Sequence, residues 1–467
     1  MTWNESSLQA TIEELTEQNQ ALQKQLEKAN SENERLRKEL EEALRSLKRQ
    51  AAPFSKRKPK KNPKPPGRKS GGNYGKHESR QVPERVDEQI PAPIPARCKC
   101  GGETVWDETQ PQFQEDIIRK TIIRRFDVQI GHCACCGRRV QGRHPLQTSD
   151  ALGAAQVQIG PEALSLAAHL NKEMGISHER AARVLDLGYG LHVSRSGLCR
   201  AMLRLGIQAD PTYQQLRVAV QQSRINWLDE TSWRVAAHLQ WLWVCMSPGV
   251  TVYDILPGRG FEQAASILGK DYDGWLHHDG WAPYYRFLNA FHQSCLSHLI
   301  RRCDHLIETV SPAAAQFPLH VRELFQKGLA LRDRCAQQEI SRHGLAIATG
   351  RLVSSLKLLL SKNYRAPVNQ RFAKHLRHEQ PWLWTFLRRP GIDATNNAAE
   401  RALRPAVIAR KTWGGSRTGP GAYAQKTLMS VLRTCHQQGK DSFERIIELL
   451  RSPEPMVLDL VPSSGFP

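Results

Sequence analysis

The stretch INWLDETSWRV at residues 225–235 marks the point where the apolar periodicity of the chain changes from 3.6 to 2, which predicts a β-strand. A second apolar segment follows, WLWVCM at 241–246, and then, after a Ser-Pro-Gly turn, a third, VTVYDILP at 250–257. Three strands joined by short turns predict an antiparallel meander. FEQAASILG at 261–269 then predicts a helix, and DGWLHHDG at 273–280 predicts a short strand that ends in an acid.

This order of three strands, a helix and a fourth strand is that of the opening of an RNase H-like fold, so we predict an α/β core of that class. In such a core the fourth strand lies beside the first, which makes neighbours of Asp229 and Asp279, each at the end of a predicted strand. Two close carboxylates repel each other unless a divalent cation separates them. Carboxylate oxygens select Mg²⁺ or Mn²⁺, and two such ions about 4 Å apart support in-line displacement at phosphorus.

A third acidic ligand is predicted in the segment TNNAAERALRP, where Asn396 or Asn397 is expected to cap a helix that carries Glu400 on its first turns. Arg401 and Arg404 follow on the same helix, where they can hold a phosphate group. Taken alone, an Asp in a turn is usually a cap, and a Glu beside two arginines is usually a surface ion pair. The assignment therefore rests on the joint pattern of the three acids.

Between the second and third acids lie about 120 residues whose pattern is mostly helical. HQSCLSHLIRR at 292–302 is read as one helix. Its His/Cys/His spacing can bind a metal, but more often such residues pack beneath a site. Residues 305–390 are predicted to form a helical insertion into the core. The glycine-rich segment from Lys411 to Arg417, KTWGGSR, either approaches a DNA backbone closely or is an ordinary turn.

Residues 1–50 carry a sustained a/d heptad pattern typical of a coiled coil. Asn19 and Asn33 fall at a positions, where a buried amide favours an in-register parallel dimer. Homo-oligomerisation through this segment is therefore predicted, and the alternative is a single amphipathic helix on a globular body. The residues at a and d are Leu8, Ile12, Leu15, Asn19, Leu22, Leu26, Ala29, Asn33, Leu36, Leu40, Ala43 and Leu47.

The segment 51–97 has 12 basic against 4 acidic residues and is rich in Pro and Gly, so it is predicted to be a flexible linker. It either adds phosphate contacts or serves as a solvated spacer. Two cysteine pairs follow, and they predict a zinc-ribbon-like module, with a reduced, metal-free ribbon as the alternative. Strands are expected over 117–130, between the pairs. The candidate ligands of a structural Zn²⁺ are Cys98, Cys100, Cys133 and Cys136.

Helices are predicted from Pro161, where proline fits the first helical position, and after Ser177 and Ser194, which are expected to be N-caps. Two short helices after a longer one are typical of a helix-turn-helix, although the intervening LGYGLHV is longer than the usual turn; the alternative is a plain three-helix connector. The side chains expected to meet DNA from this segment are Arg195, Arg200 and Arg204.

The chain has 467 residues, which suggests about three domains, and a formal charge of +20, which indicates a polyanionic partner such as nucleic acid. No apolar run approaches the roughly 18 residues that a membrane span needs, so no membrane is expected. The polar N-terminus predicts no secretory signal. Eleven cysteines in such a chain indicate a reducing compartment, hence the cytoplasm.

The predicted segments, in chain order, are a coiled coil (1–50), a basic linker (51–97), a zinc-ribbon-like module (98–145), a helical DNA-binding segment (146–220), an RNase H-like catalytic core (221–304 and 391–450) around the helical insertion (305–390), and a C-terminal tail (451–467).

Four motifs give the chain a resemblance to the bacterial insertion-sequence-66 family of transposases, and the resemblance covers most of its length. They are LDET at 228–231, HDGWAPY at 278–284, HQSCLSHLIRR at 292–302 and NNAAERALRP at 396–405. The resemblance implies a DDE triad, which here falls on Asp229, Asp279 and Glu400. It also implies a helical insertion ahead of the Glu, a site of action at the bacterial nucleoid, and element-encoded accessory proteins. The Cys-x-Cys half of the ribbon departs from the family's Cys-x-x-Cys.

The sequence thus predicts a metal-dependent DNA transposase that cleaves element ends and joins them to double-stranded target DNA. Two rival functions remain open. One is a DNA-binding regulator that kept the fold and lost catalysis, and the other is a metal-dependent nuclease without strand transfer.

Overall fold

The computed structural model describes residues 5–48, 81–152 and 157–461. The most basic part of the predicted linker, residues 51–80, lies outside the described residues, as do residues 49–50 at the end of the predicted coiled coil. The chain divides into one compact unit of residues 1–53 and 125–467 and a smaller unit of residues 54–124. The helices are α1 (Glu5–Lys48), α2 (Pro161–Ala168), α3 (His178–Tyr189), α4 (Arg195–Gln208), α5 (Asp210–Gln222), α6 (Phe261–Leu268), α7 (Leu296–Thr309), α8 (Pro312–Ala336), α9 (Arg342–Ser361), α10 (Pro367–Glu379), α11 (Thr385–Arg388), α12 (Asn397–Trp413), α13 (Gly419–Gln437) and α14 (Ser442–Arg451).

Seven strands form two sheets within the described residues. The strands are β1 (Ile130–His132), β2 (Arg139–Gln141), β3 (Ile225–Val235), β4 (His238–Met246), β5 (Thr251–Leu256), β6 (Trp275–His278) and β7 (Phe291–Ser294). β1 and β2 pair as a small antiparallel hairpin. The other five form one sheet in the order β5-β4-β3-β6-β7.

The larger sheet is mixed. β3, β4 and β5 form the predicted antiparallel meander, whereas β3–β6 and β6–β7 pair in parallel. The fourth strand of this sheet therefore lies beside the first, as the sequence predicts. This mixed α/β arrangement is compatible with an RNase H-like core.

Helices cover both faces of the sheet. Successive residues of a strand point to opposite faces, so each face carries apolar side chains that helices can cover. On one face Leu228 and Trp243 pack into a core with α4, α5, α6 and part of α13. On the other face Trp233 and Val244 pack against α12. α12 presents a row of small residues to the sheet, Ala399, Ala402, Ala406 and Ala409, which lets its backbone approach closely.

The helices α2–α5 share the core of the sheet. α2 begins at Pro161 and runs on into a π-helical turn, His169–Glu173. The predicted caps are confirmed: Ser177 accepts a hydrogen bond from the N–H of Arg180, and Ser194 accepts one from Gly197. The C-terminal segment after α14 also contributes to this core, through the buried side chains of Leu458 and Leu460.

The helices predicted over 305–390 are observed as α8–α11, which together with α7 enclose a second hydrophobic core. α9 is long and apolar enough to cross a membrane by length and composition alone, although polar residues such as Arg351 and Lys357 interrupt it. One such helix is weak evidence for a membrane span, because helices in the core of a soluble protein can be equally long and apolar. In this protein Leu352, Leu356 and Leu360 of α9 are buried in the insertion core.

Two local predictions are wrong. The strands expected over 117–130 are not observed: residues 104–129 hold no regular secondary structure, and only Ile130 enters a strand. β-branched residues favour strands only where a partner strand pairs with them, and Ile118 and Ile123 are almost fully exposed. The segment 292–302 is not one helix, because its first residues form β7, an edge strand held by pairing with β6 rather than by its own polar sequence.

The contact between α4 and α13 depends on Gly206. A Cβ at this position would lie 2.8 Å from both Cα and Cβ of Ala424, which is closer than atoms can approach. We therefore expect Gly206→Ala to lower the free energy of unfolding by about 1–3 kcal/mol. The matched control is Gly350→Ala in α9, where the new Cβ meets nothing within 4 Å. That change should stabilise by about 0.5–1 kcal/mol, and equal denaturation midpoints for the two variants would contradict the packing described.

Candidate active site

The parallel pairing of β3 with β6 brings two acids together. The strands pair with a constant offset of 50 residues, up to Trp227 opposite His277. Continued by two residues, this register sets Asp229 beside Asp279, which directly follows β6. Neighbouring strands lie about 4.8 Å apart, so the two carboxylates share one edge of the site.

The structure corrects the position of one acid on its strand. Asp229 lies in the middle of β3 and not at its end, because β3 continues to Val235 and pairs with β4 from Trp227 to Val235. The Asp-Glu-Thr-Ser stretch interrupts the apolar alternation of the strand. Its backbone nonetheless stays in the hairpin, and Asp229 Oδ1 accepts a hydrogen bond of 2.8 Å from the N–H of Glu230.

The pKa of Asp229 is raised well above its ordinary value. Burial is the main cause, and the nearby negative charges of Glu230, Asp279 and Glu400 raise the pKa further. The carboxylates of three separate elements, β3, the turn after β6 and α12, therefore act on one another. Such an arrangement fits a divalent cation, which would relieve the repulsion and favour the ionised acids.

The start of α12 is tied to the residue before Asp229. Asn396 occupies the N-cap position, but its side chain does not cap the helix as predicted. Its Nδ2 instead donates a 3.0 Å hydrogen bond to the backbone oxygen of Leu228, and its own carbonyl accepts from the N–H of Glu400. The acid thus stands on the first turn of α12, with the helix start fixed to β3.

Further along, α12 is held to the sheet by polar contacts that the sequence did not reveal. Arg410 donates hydrogen bonds to Thr231 Oγ1 at 3.1 Å and to the backbone oxygen of Ser232 at 2.8 Å. Tyr253 of β5 donates a 2.6 Å hydrogen bond from its hydroxyl to the backbone oxygen of Ala402. These contacts fix the direction of the helix as well as its start.

Two basic side chains face Glu400. Arg301 Nη2 lies 2.6 Å from Glu400 Oε1, and His298 Nδ1 lies 3.4 Å from the same oxygen. The pKa of His298 is lowered by its burial and then by the charge of Arg301. Glu400 thus pairs with Arg301 of α7, and not with the neighbouring arginines of α12.

The turn after β6 holds Asp279 in place. Its Oδ1 accepts a 2.9 Å hydrogen bond from the N–H of Trp281, and its Oδ2 lies 4.0 Å from Arg259 Nη2. Arg259 also pairs with the buried carboxylate of Glu230, which accepts a second hydrogen bond from the hydroxyl of Tyr284. Sequence reasoning missed Glu230, because an acid next to a candidate ligand on a strand points to the opposite face.

A second buried acid, Glu379, reaches the same turn from the insertion. Its carboxylate accepts hydrogen bonds from the hydroxyls of Ser294 and Tyr285, and burial raises its pKa. Gly280 has a φ of +87°, and a Cβ there would lie 3.3 Å from Glu379 Oε1. Glycine therefore fits this position for two reasons. No sequence pattern points to Glu379, since it lies about 100 residues from Asp279.

The arginines predicted to meet DNA are all on the surface. Arg195, Arg200 and Arg204 lie on the exposed side of α4, and Arg401 and Arg404 are exposed on α12. Contact with DNA by these side chains remains a prediction.

The glycine-rich segment packs on the sheet. Gly415 has a φ of +122°, and a Cβ there would lie 2.4 Å from the backbone oxygen of Arg234. Ser416 forms a parallel bridge with Val235, at the end of β3. The glycine is thus explained by this close approach to the sheet, while the flanking Lys411 and Arg417 are exposed.

The two cysteine pairs each form a tight turn, and they belong to different units of the chain. In the first, the N–H of Cys98 donates to the oxygen of Gly102 at 2.9 Å, and the N–H of Gly102 lowers the pKa of Cys100. In the second, the pKa of Cys133 is lowered chiefly by the backbone N–H groups of Cys136 and Cys135. Each turn thus favours a thiolate, and one zinc ion shared by the two remains a prediction.

The site as a whole is a cluster of acids at the carboxyl-terminal edge of a parallel strand pair, in a strongly basic chain. Residues 156–424 match the sequence profile of the family described as "Transposase IS66 family". The match covers more than half of the chain, and the chain belongs to this family, which supports a role in transposition.

The chain is also similar to one curated relative. It is the protein named "Uncharacterized protein y4qI" from Sinorhizobium fredii (strain NBRC 101917 / NGR234), which is 26% identical over 295 residues. The aligned part is 56% of this chain and 53% of the relative, so the chain spans about half of the length of that protein.

Asp229 gives a test of this electrostatic arrangement. In the unfolded chain the carboxyl ionises near pH 3.9, and in the folded protein its pKa is raised, so its ionisation costs stability as pH rises between these values. Asp229→Asn removes that cost. In EDTA we expect the variant to match the wild type near pH 4 and to become more stable at higher pH, by about 1.4 kcal/mol per unit of pKa elevation.

Thermal unfolding across pH measures this difference, and Asp271→Asn, at an exposed position before β6, is the control. A variant less stable than the wild type at neutral pH, with the control unchanged, would show that the carboxylates do not repel one another as described.

Proposed function

We propose that this protein is a DNA transposase in which Asp229, Asp279 and Glu400 together hold two Mg²⁺ or Mn²⁺ ions. The reaction would be cleavage of DNA at the element ends, followed by transfer of the freed 3′-hydroxyl ends into double-stranded target DNA. The observation that supports this most is the β3–β6 register, which sets Asp229 beside Asp279. The pKa of Asp229 is raised first by burial and then by the charges of Glu230, Asp279 and Glu400. Mg²⁺ and Mn²⁺ prefer hard oxygen ligands, and a few carboxylates are enough to hold them when water and phosphate oxygens fill the remaining positions.

The metal ions would supply a more acidic water and neutralise charge on the phosphate. The protein's own contribution is positional. β3 and β6 fix the two aspartates on a rigid sheet, and the bond from Asn396 to Leu228 fixes the helix that carries Glu400. Rigid placement of this kind reduces the entropy lost when reacting groups are brought into line.

Arg301 and Arg259 would balance the charge of the site. Arg301 Nη2 lies 2.6 Å from Glu400 Oε1. Arg259 Nη2 lies 4.0 Å from Asp279 Oδ2. Both side chains are partly exposed, so they are able to turn towards a bound phosphate backbone. Further phosphate contacts would come from the surface residues Arg195, Arg200, Arg204, Arg401, Arg404, Lys411 and Arg417.

The N-terminal segments would serve assembly and DNA capture. α1 exposes its row of large apolar residues, among them Leu22, 60% exposed, and Leu26, 61% exposed, which suits pairing with a second copy of α1. The basic linker would add phosphate contacts, and the cysteine turns would bind a structural Zn²⁺ through Cys98, Cys100, Cys133 and Cys136. Action on DNA would bring the protein to the nucleoid of a bacterial cytoplasm, and element-encoded accessory proteins would be further partners.

A silent regulator and a simple nuclease are the rival functions. The presence and mutual influence of all three acids argue against a regulator, because a site under no selection for catalysis gains nothing from clustered, mutually repelling carboxylates. A nuclease would need the same acids, so only the products of the reaction separate it from a transposase.

Asp279→Asn tests the role of the acids. We expect this variant to lose cleavage and strand transfer by at least about 10³-fold, since electrostatic stabilisation of the transition state supplies much of the rate enhancement in such reactions. Binding of terminal-repeat DNA should survive, because the arginine surface is untouched. The matched control is Asp273→Asn six residues earlier, an exposed acid that pairs with Arg224 at 3.3 Å.

The assay uses the purified chain, Mg²⁺, DNA carrying the element ends and a plasmid target. Joined products with the wild type and the control, and none with Asp279→Asn, support a transposase. Cuts without joining point to a nuclease, and mobility shifts alone to a regulator. Strand transfer retained by Asp279→Asn would remove the assignment of the site.

The apolar row of α1 gives a separate test. Replacing both Leu22 and Leu26 with Asp puts charges at positions that a partner helix would bury, so we expect the oligomer to dissociate. Replacing Lys24, on the opposite side of the helix, with Asp is the control and should leave the mass unchanged. Analytical ultracentrifugation of the full chain measures both, and a double variant that keeps the wild-type mass would mean that α1 does not mediate assembly.

A further inference from the structure

Three chemically different ligands converge next to the acid cluster. Cys295 directly precedes α7, His298 lies on its first turn, and Glu400 lies on the first turn of α12. One ligand atom of each side chain lies within 4.8 Å of those of the other two. A tetrahedral ion with bonds of about 2.0–2.3 Å needs ligands about 3.3–3.8 Å apart, which small side-chain rotations would reach here.

The sulfur is well placed for this role. Cys295 is 2% exposed, and its Sγ accepts one hydrogen bond of 3.1 Å from the N–H of Asn396. Because a thiolate has further lone pairs, this bond orients the sulfur without using up its capacity to bind a metal. Burial raises the pKa of the Cys295 thiol, so a metal ion has to displace its proton. α7 and α12 both begin next to Cys295, and helix N-termini favour the negative charge of the resulting thiolate.

One nitrogen of the imidazole, Nδ1 of His298, lacks a hydrogen-bond partner among the described residues. Nδ1 of His298 is buried and makes no hydrogen bond in the part of the chain that the structure describes, although it lies 3.4 Å from Glu400 Oε1. A buried nitrogen without a partner is costly in a folded protein. A metal ion between the ring and the carboxylate would satisfy both groups.

A cation already occupies one side of Glu400. The guanidinium of Arg301 lies 2.6 Å from Oε1, on a side chain that is 57% exposed. Because that side chain reaches solvent, a divalent ion can replace its charge without leaving the guanidinium buried and unpaired. One sulfur, one nitrogen and one oxygen ligand, with a fourth position open to water, is a set that suits Zn²⁺ better than Mg²⁺.

We propose that Cys295, His298 and Glu400 form a binding site for a thiophilic divalent cation of the Zn²⁺ class, separate from the all-oxygen site of Asp229 and Asp279 but sharing Glu400 with it. Binding releases the thiol proton to solvent and forms a metal–sulfur bond. An ion held here draws Glu400 away from the aspartates. Zn²⁺ and Mg²⁺ therefore compete for one carboxylate, and this competition, unlike the site itself, rests on the proposed function.

Co²⁺ is the probe, because it follows Zn²⁺ in ligand preference and its bond to a thiolate gives an intense near-ultraviolet band that oxygen ligands do not give. The experiment uses the full chain with Cys98, Cys100, Cys133, Cys135 and Cys136 changed to Ser, so that the cysteine turns contribute no signal. These five residues are exposed or partly exposed, and their replacement leaves the buried cores intact.

We expect one Co²⁺ per chain with a thiolate band. Cys295→Ser, which keeps an acceptor for the N–H of Asn396, should abolish the band, and His298→Ala should weaken Co²⁺ binding by about tenfold or more. The matched control is Cys303→Ser, a buried cysteine two turns further along α7, which should keep the band. No band in the five-serine chain, or a band that survives Cys295→Ser, overturns the proposal.

Mg²⁺ distinguishes failure of this site from failure of the proposed function. Excess Mg²⁺ should raise the apparent Kd for Co²⁺ in the five-serine chain. The effect should disappear when Asp229 and Asp279 are both changed to Asn, while the thiolate band remains. A normal band that Mg²⁺ never weakens would support the thiophilic site and count against Glu400 as a ligand of the magnesium ions.

Discussion

The parallel pairing of β3 with β6 is the constraint on which the rest of the site depends. The pairing fixes an offset of 50 residues between the strands, and a shift of one residue would send Asp229 or Asp279 to the opposite face of the sheet. The offset is protected by burial on both faces of β3, since Leu228 packs towards one core and Trp233 towards the other. The apolar side chains therefore determine where the acids lie.

The acids themselves work against folding. Burial and neighbouring charge raise the pKa of Asp229, and burial raises those of Glu230 and Glu379, so ionising these groups in the folded protein costs free energy. Glu230 is partly relieved by Arg259 and Tyr284, and Glu379 by two hydroxyl donors. Asp229 has only the N–H of Glu230 among the hydrogen bonds described. The acid with the least compensation is thus the one at the centre of the candidate site, as expected where function and not stability selects a residue.

The predictability of each element follows from how local its causes are. The meander, α6 and β6 follow from periodicity and turns within a few residues, and the caps at Ser177 and Ser194 from local hydrogen bonds. β7 could not be predicted, because Phe-His-Gln-Ser has no strand pattern and pairs only because β6 is beside it. In the candidate site, sequence motifs predict the three acids. The hydrogen bond from Asn396 to Leu228 and the close approach of Glu379 to Gly280 could not be predicted, because each joins residues roughly 100 or more positions apart. Such contacts leave no mark on local sequence.

The long helical insertion does not prevent Glu400 from being placed precisely, because the chain segments just before and just after it are hydrogen-bonded to each other. The N–H of Leu296, at the start of α7, donates a 3.0 Å hydrogen bond to the oxygen of Ala394, just before α12. The adjacent residues Cys295 and Asn396 are also hydrogen-bonded. The chain thus leaves and re-enters the sheet domain at one point, and the insertion packs its own core beyond it. Since the cost of closing a loop grows only with the logarithm of its length, a long insertion here adds little to the cost of holding Glu400 near the aspartates. The contacts with the site from Arg301 and His298 of α7 and from Glu379 of α10 then come from packed helices and not from a loop.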